Sequence, residues 1–356
     1  MDNSVEERRF SLESRRYIGC KTKLVDWIFS LISEQTHDVH SFCDIFAGTG
    51  VVAHRALQTY ERVVVNDFLH SNNVMYRAFF APTEWDEERV QTIIEEFNSV
   101  NPNKVRENYF SKNFGGKFFD TDTAKKVGYI REQLKRKQTT LTDKEYAVLM
   151  ASLIYSIDRR ANTIGHFEAY IKKEIPVQPP FELRMIDVQS YEGVEIHQED
   201  ANLLARTIDV DLTYLDPPYN SRQYSRFYHV YENLVQWKKP QLFGTAMKPK
   251  EENMSDYCRN SAFTAFTDLV SHIKSRYLVV SYNNTYHSKS TSSENKIKLE
   301  QLEEVLNKCG KTQVFNHEFK AFNSGKTEFD DHREYLFITE VDDEKRNRSF
   351  PSVLRG

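Results

Sequence analysis

The stretch on which the fold turns is Ser41-Phe42-Cys43-Asp44-Ile45-Phe46, then Ala47-Gly48-Thr49-Gly50, then the apolar run Val51–Leu57. The first six residues read as a buried strand and the last seven as a helix, with two glycines at the turn between them. Gly48 and Gly50 permit a tight turn that lets a ligand approach the backbone where the helix begins. No third glycine follows, so this is not the full dinucleotide fingerprint, which weighs against a nicotinamide-dependent enzyme. A second strand, Arg62-Val63-Val64-Val65, ends in Asn66-Asp67. An acid at that place can accept hydrogen bonds from ribose hydroxyls. A third strand, Val194-Glu195-Ile196-His197, runs into Glu199-Asp200, a position suited to the amino group of an adenine ring.

The fourth strand carries the chemistry. Asp211-Leu212-Thr213-Tyr214-Leu215 leads into Asp216-Pro217-Pro218-Tyr219. A carboxylate, two imino acids and an aromatic ring at a strand's end make a rigid, acceptor-rich pocket with a stacking face. Neither proline has an N–H and both have a fixed φ, so the carbonyls are held in place beforehand. Such a pocket suits a planar heterocycle with an exocyclic amine. Bonds from the amine to Asp216 and to the Pro217 carbonyl draw its lone pair out of the ring, while Tyr219 stacks on the base. Taken singly, each acid is most simply a solvated strand end. Four strands delivering polar groups at their C-terminal ends fit the ligand rule for open α/β sheets.

These segments resemble a known family. Tyr17-Ile18-Gly19-Cys20-Lys21-Thr22-Lys23-Leu24, Asp44-Ile45-Phe46-Ala47-Gly48-Thr49-Gly50, Asn66-Asp67 and Asp216-Pro217-Pro218-Tyr219 are similar, in type and order, to the motifs of Dam-type (D12 class) DNA adenine-N6 methyltransferases. The extension Asn220-Ser221-Arg222-Gln223-Tyr224 and the later Tyr228-His229-Val230-Tyr231-Glu232 resemble methylases that accompany type IIS restriction enzymes. The resemblance spans 17 to about 232 and is loose beyond 240. It implies S-adenosylmethionine as cofactor, held by Tyr17, Lys21, Asp44, Phe46, Ala47, Gly48, Thr49, Gly50, Asp67, Asp200 and Asp216. It also implies double-stranded DNA as the partner, with a flipped-out adenine methylated at N6 and Asp216, Pro217, Pro218 and Tyr219 as the catalytic group. Family members usually begin the first motif with tryptophan, where this chain has Tyr17. Alternatives at this point are an N4-cytosine or RNA-base methyltransferase and a catalytically silent DNA-binding subunit. A cognate restriction endonuclease is the expected functional companion.

Composition is that of an ordinary soluble protein: 356 residues, 28% charged, 39% hydrophobic, net charge −4. No stretch is long and apolar enough for a membrane span, and Met1-Asp2-Asn3-Ser4-Val5-Glu6-Glu7-Arg8-Arg9 lacks the apolar core of a signal peptide. Cys20, Cys43, Cys258 and Cys309 show no ligand spacing, so reduced thiols in a cytoplasmic protein with no metal are expected.

Local charge matters more than the total. Residues 101–140 hold ten Lys or Arg against four acids, with Tyr109, Phe110, Phe114, Phe118 and Phe119 interleaved. Lys125 and Lys126 are therefore expected to contact phosphates, although a charge run is often only a solvated face. Arg159 and Arg160, after a helix expected over 146–157 with Thr142 as N-cap, are candidate DNA contacts; a helix C-cap is the plainer reading. Arg222 and Arg226, beside the base pocket, are candidates too. His229 and Glu232 read as supporting residues on a helix over 227–237. The expected architecture is a class I methyltransferase-like (Rossmann-like) α/β sheet built from 1–80 and 191–345. A mainly helical target-recognition domain is inserted at 81–190, and 346–356 is a tail. Further expectations are a helix over 24–32, a mobile loop at 248–259, a strand at 276–282, a serine-rich loop at 288–293, a helix at 297–306 and a strand at 334–338.

Overall fold

The computed structural model describes residues 9–284, 294–318 and 333–346. The serine-rich loop at 288–293, the tail beyond 346 and the first eight residues lie outside them. Among the described residues, β1 (Ser41–Asp44), β2 (Arg62–Asn66), β3 (Val194–His197), β4 (Asp209–Leu215), β5 (Lys274–Asn283), β6 (Gly310–Glu318) and β7 (Arg333–Val341) form one sheet. Its order is β3-β2-β1-β4-β5-β7-β6. The first five strands are mutually parallel, and β7 lies antiparallel between β5 and β6. Parallel pairing brings the C-terminal ends of β1 to β4 to one edge. Because β2 and β4 flank β1 on opposite sides, the chain leaves β1 and β4 in opposite directions and a crevice opens between them.

Side chains alternate across the sheet, and both faces are apolar because helices cover both. Phe42, Val63, Val65, Leu212 and Tyr214 point into one core; Cys43, Ile45, Val64, Val210 and Leu215 point into the other. On the first face lie α1 (Val25–Gln35), α2 (Val51–Leu57), α3 (His70–Phe79), α4 (Glu87–Asn98), α5 (Tyr109–Phe114), α6 (Thr121–Lys137) and α7 (Asp143–Asp158). The other face is covered by α8 (Ala201–Leu204), then, past α9 (Tyr224–Phe227) and α10 (His229–Gln236), by α11 (Ala262–His272) and α12 (Leu299–Asn307). The described chain ends in α13 (Asp343–Arg346).

Residues 81–190 hold α4 to α7 and no named strand. Their apolar side chains join the same hydrophobic cluster as the sheet's first face, so they form an added helical layer with a shared core. The two ends of this excursion are clipped together: the buried Lys144 ammonium donates to the carbonyls of Ala81 (2.7 Å) and Gln189 (3.3 Å). The expected N-cap is present, since Thr142 and Glu145 form a reciprocal capping box on α7. That helix is apolar nearly all round and is buried along most of its length.

The basic run needs correction. Lys126 is not on the surface: it is 3% exposed, and its ammonium donates to the Asn98 carbonyl at 2.9 Å. It flanks the α6 face built from Val127, Ile130 and Leu134, so helix phase turns it inward. Arg131 is buried on the same helix and donates to the carbonyls of Leu234 and Val235 at the end of α10. Phe110, Phe114, Phe118 and Phe119 are core residues. Neither is 248–259 a loose loop. Asp256–Cys258 is a 3₁₀ turn with Tyr257 and Cys258 buried, and Ser255 exchanges two hydrogen bonds with the Gln223 side chain (2.7 and 2.9 Å). Strand β6 was not anticipated: its residues are mostly exposed and mostly polar, so it lacks an apolar run.

Candidate active site

A cavity of about 320 Å³ opens at the C-terminal ends of β1 to β4. Its floor is the loop after β1. Gly48 and Gly50 have φ of 54° and 82°, values that exact a strain from any residue with a Cβ. Gly50 does not line the cavity; its importance is conformational, because a Cβ there would meet Tyr76 at 3.1 Å and Phe80 at 3.3 Å. Phe46, Ala47, Gly48 and Thr49 do line it. Phe46 packs edge-on to Tyr257 (5.0 Å, 77°), so the turn at 256–258 closes one wall, with Met254 and Ser255 beside it. Asn253 of this strap donates to the Phe68 carbonyl across the opening (2.7 Å).

The loop is held from beneath. Asp67 accepts from Gly48 N–H (3.0 Å) and Leu69 N–H (2.8 Å). Burial pushes its carboxyl up to about 6, against the opposing pull of the bonds from Leu69, Asn72 and Gly48. Asn66 joins three strand ends: its amide donates to the carbonyls of Ile45 and Glu199, and its oxygen accepts from Glu199 N–H. Asp200, exposed at the rim, caps α8 through bonds from Asn202 and Leu203 N–H. Tyr17 stands on the opposite wall, stacked on Tyr228 (4.5 Å, 10°) and Tyr224 (5.4 Å, 22°). The buried Arg15 guanidinium lies 4.9 Å from the Tyr17 ring and bonds Asn72, which in turn donates to the Tyr17 hydroxyl.

Asp216, Pro217, Pro218 and Tyr219 line the end of the cavity beside Lys21. The Lys21 ammonium is 3.2 Å from Asp216 and pairs with Glu334 of β7 as well. The Tyr219 hydroxyl bonds Asp216, Lys21 and Glu334. Burial pushes the Asp216 carboxyl up to about 6; Lys21 pulls it down and Glu334 pushes it up. Burial works against the Lys21 ammonium, but Asp216 and Glu334 hold it above the ordinary lysine range. Lys21 thus lines the cavity with its ammonium between the carboxylates of Asp216 and Glu334. Nor does Tyr219 offer a free ring: it meets Tyr282 edge-on at 4.7 Å with its hydroxyl tied to Asp216. Asp44 is 1% exposed, and neither oxygen has a hydrogen-bonding partner of good geometry. Burial, with Asp216 and Asp67 nearby, pushes it well above the usual carboxylate range. The backbone N–H groups of Ala53 and Phe46 offset this only in part, and a buried carboxyl so placed beside a cavity fits a ligand that brings positive charge or N–H groups.

Residues 17–275 match the family of D12 class N6 adenine-specific DNA methyltransferases. The chain belongs to this family. It is 29% identical over 342 residues to the type II methyltransferase M.NlaIII of Neisseria lactamica, covering 91% of this chain and 98% of that one. Similarity to the type II methyltransferase M.CviAII of Paramecium bursaria Chlorella virus 1 is 30% over 342 residues, covering 92% and 98%. M.FokI of Planomicrobium okeanokoites is 28% identical over 351 residues, covering 92% of this chain and 53% of that one. The protein is an adenine-specific DNA methyltransferase, and the family's methyl donor is S-adenosylmethionine.

Sequence reasoning passed over Glu334, Tyr257 and Met254 as members of this methyltransferase's site. The only local signal was a tyrosine in an otherwise polar stretch; Glu334 looked like the start of an ordinary strand. The arginines expected to meet DNA lie outside the cavity. Arg159 is exposed and is the C-cap of α7, as the plainer reading had it. Arg160 bonds Gln178 (3.1 Å) and the Pro180 carbonyl (2.7 Å). Arg226 donates to the Pro249 carbonyl at 2.8 Å. The Arg222 guanidinium lies 5.9 Å from the Phe227 ring, which stacks on His166. Lys125 is half-buried on α6. No helix among the described residues is long and apolar enough to cross a membrane.

Proposed function

We propose that Asp216 and the Pro217 carbonyl accept the two N–H groups of a flipped-out adenine in double-stranded DNA and so direct its N6 lone pair at the methyl donor. The observation that carries this reading is Asp216 itself, a carboxylate at the end of β4 in the same cavity as the glycine loop and Asp67. When bound, S-adenosylmethionine supplies a methyl group on a sulfonium, already a good leaving group. The chain's share is positioning and polarisation. Phe46, Tyr257 and Tyr17 supply the apolar walls for the cofactor, the 47–49 backbone its floor, and Asp67 and Asp200 acceptors at the ribose and adenine ends. Asp44 is the acceptor for its cationic end. Tyr219 stacks on the base only after its hydroxyl leaves Asp216.

Residues 81–190 form the target-recognition layer in this reading, with Lys125, Arg159, Arg160, Arg222 and Arg226 as its phosphate and base-side contacts. The designation type II methyltransferase carried by the relatives supports a restriction–modification setting with a cognate endonuclease. The test is transfer of tritium from labelled S-adenosylmethionine to unmethylated duplex DNA, followed by identification of the labelled base. N6-methyladenine from the wild type and none from a folded Asp216→Ala variant are expected. Near-normal turnover of Asp216→Ala at saturating DNA removes the reading.

A further inference from the structure

Glu334 is the second residue of β7, opposite Asn283 of β5, and is 3% exposed. One oxygen, Oε1, accepts from Ser281 Oγ at 2.8 Å, from the Tyr219 hydroxyl at 3.1 Å and from the Lys21 ammonium. Lys21 Nζ and the Tyr219 hydroxyl are also the two donors on Asp216 Oδ1. One cation and one hydroxyl are therefore shared between two buried carboxylates. That sharing decides what Asp216 can do. Both donors meet the same oxygen, Oδ1, so they leave Oδ2 to an amine, but they partly neutralise the carboxylate's charge and so weaken it as an acceptor. Neither donor can simply swing away, because a buried donor left without an acceptor costs about as much as a lost hydrogen bond. A second acceptor already in contact with both removes that cost.

We infer that Glu334 is a positioning residue for methyl transfer: it competes for Lys21 and the Tyr219 hydroxyl, and so keeps the Asp216 carboxylate a strong acceptor for the target amine. This rests on the reading of Asp216 as the amine acceptor. Glu334 touches neither DNA base nor cofactor in this scheme; it acts through Lys21 and Tyr219. The groups facing Asp216 are Lys21, Glu334, Tyr219, Asp44, Tyr214 and Tyr224. Among them Lys21 is the one cation. Without the charge of Glu334, Lys21 acts on Asp216 unopposed, and Asp216 ionises at lower pH.

The test is steady-state methylation of unmethylated genomic DNA by the full chain and its Glu334→Gln variant, measured across pH 5 to 9. Folding is checked by thermal melting and by calorimetric binding of S-adenosylmethionine. Glu334→Gln is expected to lower kcat about tenfold or more, the size of one charged hydrogen bond. KM for DNA stays unchanged, and the acid limb of the pH profile moves to lower pH. Glu334→Asp restores part of kcat. Ser281→Ala, which removes one bond from Glu334, gives a smaller change in the same direction and carries the test if Glu334→Gln does not fold. Wild-type kcat and an unmoved acid limb in folded Glu334→Gln, or in Ser281→Ala when only that variant folds, overturn the inference. If Asp216→Ala remains active, the acceptor reading fails and takes this one with it. An inactive Asp216→Ala beside a wild-type Glu334→Gln leaves the acceptor reading intact and rejects Glu334 alone.

Discussion

Replacing Asp67 with asparagine separates what this acid does for the fold from what it does for the cofactor. In the wild type its two oxygens accept from Gly48 N–H at 3.0 Å and Leu69 N–H at 2.8 Å. An asparagine keeps one of these bonds and turns an NH₂ toward the other donor, a loss of about 1–3 kcal/mol. Against this stands the cost of the buried charge. A carboxyl displaced from 3.8 to about 6 in the folded state destabilises it by about 3 kcal/mol once fully ionised. The amide carries no such cost. The two effects nearly cancel, so at pH 8 Asp67→Asn is expected to unfold in urea within about 2 kcal/mol of the wild type. The sign of the pH dependence follows. A raised folded pKa gives a stability that is full below 3.8 and is lost as pH rises through about 6, so the wild type loses stability over that window and Asp67→Asn follows a flatter curve. Cofactor binding has no such cancellation. Loss of a charged acceptor for ribose hydroxyls should weaken S-adenosylmethionine by about 1.5–3 kcal/mol, roughly ten- to a hundredfold in Kd. Urea titration and calorimetry at pH 8 read both quantities. An unchanged Kd in a folded Asp67→Asn protein refutes the ribose assignment, and a stability loss well above 3 kcal/mol refutes the cancellation.

Two further outcomes are expected. Methyl transfer at saturating substrates should fall as pH drops through about 6, because Asp216 must be ionised to accept the amine, and a pH–rate profile flat down to 5 would contradict this. Lys125→Glu should weaken binding to all DNA sequences alike and flatten the dependence of log affinity on log salt, whereas Lys126→Met should leave that slope unaltered, because its ammonium is spent on the Asn98 carbonyl; equal slopes for both variants would mean that α6 does not face DNA.

The sequence by itself determined the parts of the site that are made locally. A strand, a two-glycine turn and a helix are contiguous, and their conformations are set by the residues that occupy them, so the 41–57 unit, the acids closing β2 and β3 and the tetrapeptide closing β4 were all legible. Parallel pairing of those strands then forces their C-terminal ends to one edge, which makes the cavity a consequence of the pattern. The Thr142 cap and the buried α7 were readable for the same reason. Tertiary structure alone decided which side chains gather around Asp216 and the cavity. Glu334 stands 118 residues after Asp216 and shares Lys21 and Tyr219 with it only because β7 inserts antiparallel between β5 and β6; no spacing rule encodes that register. Tyr257 reaches Phe46 by a strap whose polar sequence carries no periodic signal. Lys126 shows the limit most clearly. Charge marks a residue for the surface, but burial depends on which face of α6 another part of the chain covers, and a lysine beside Val127 and Ile130 goes inward when Asn98 offers its ammonium a carbonyl.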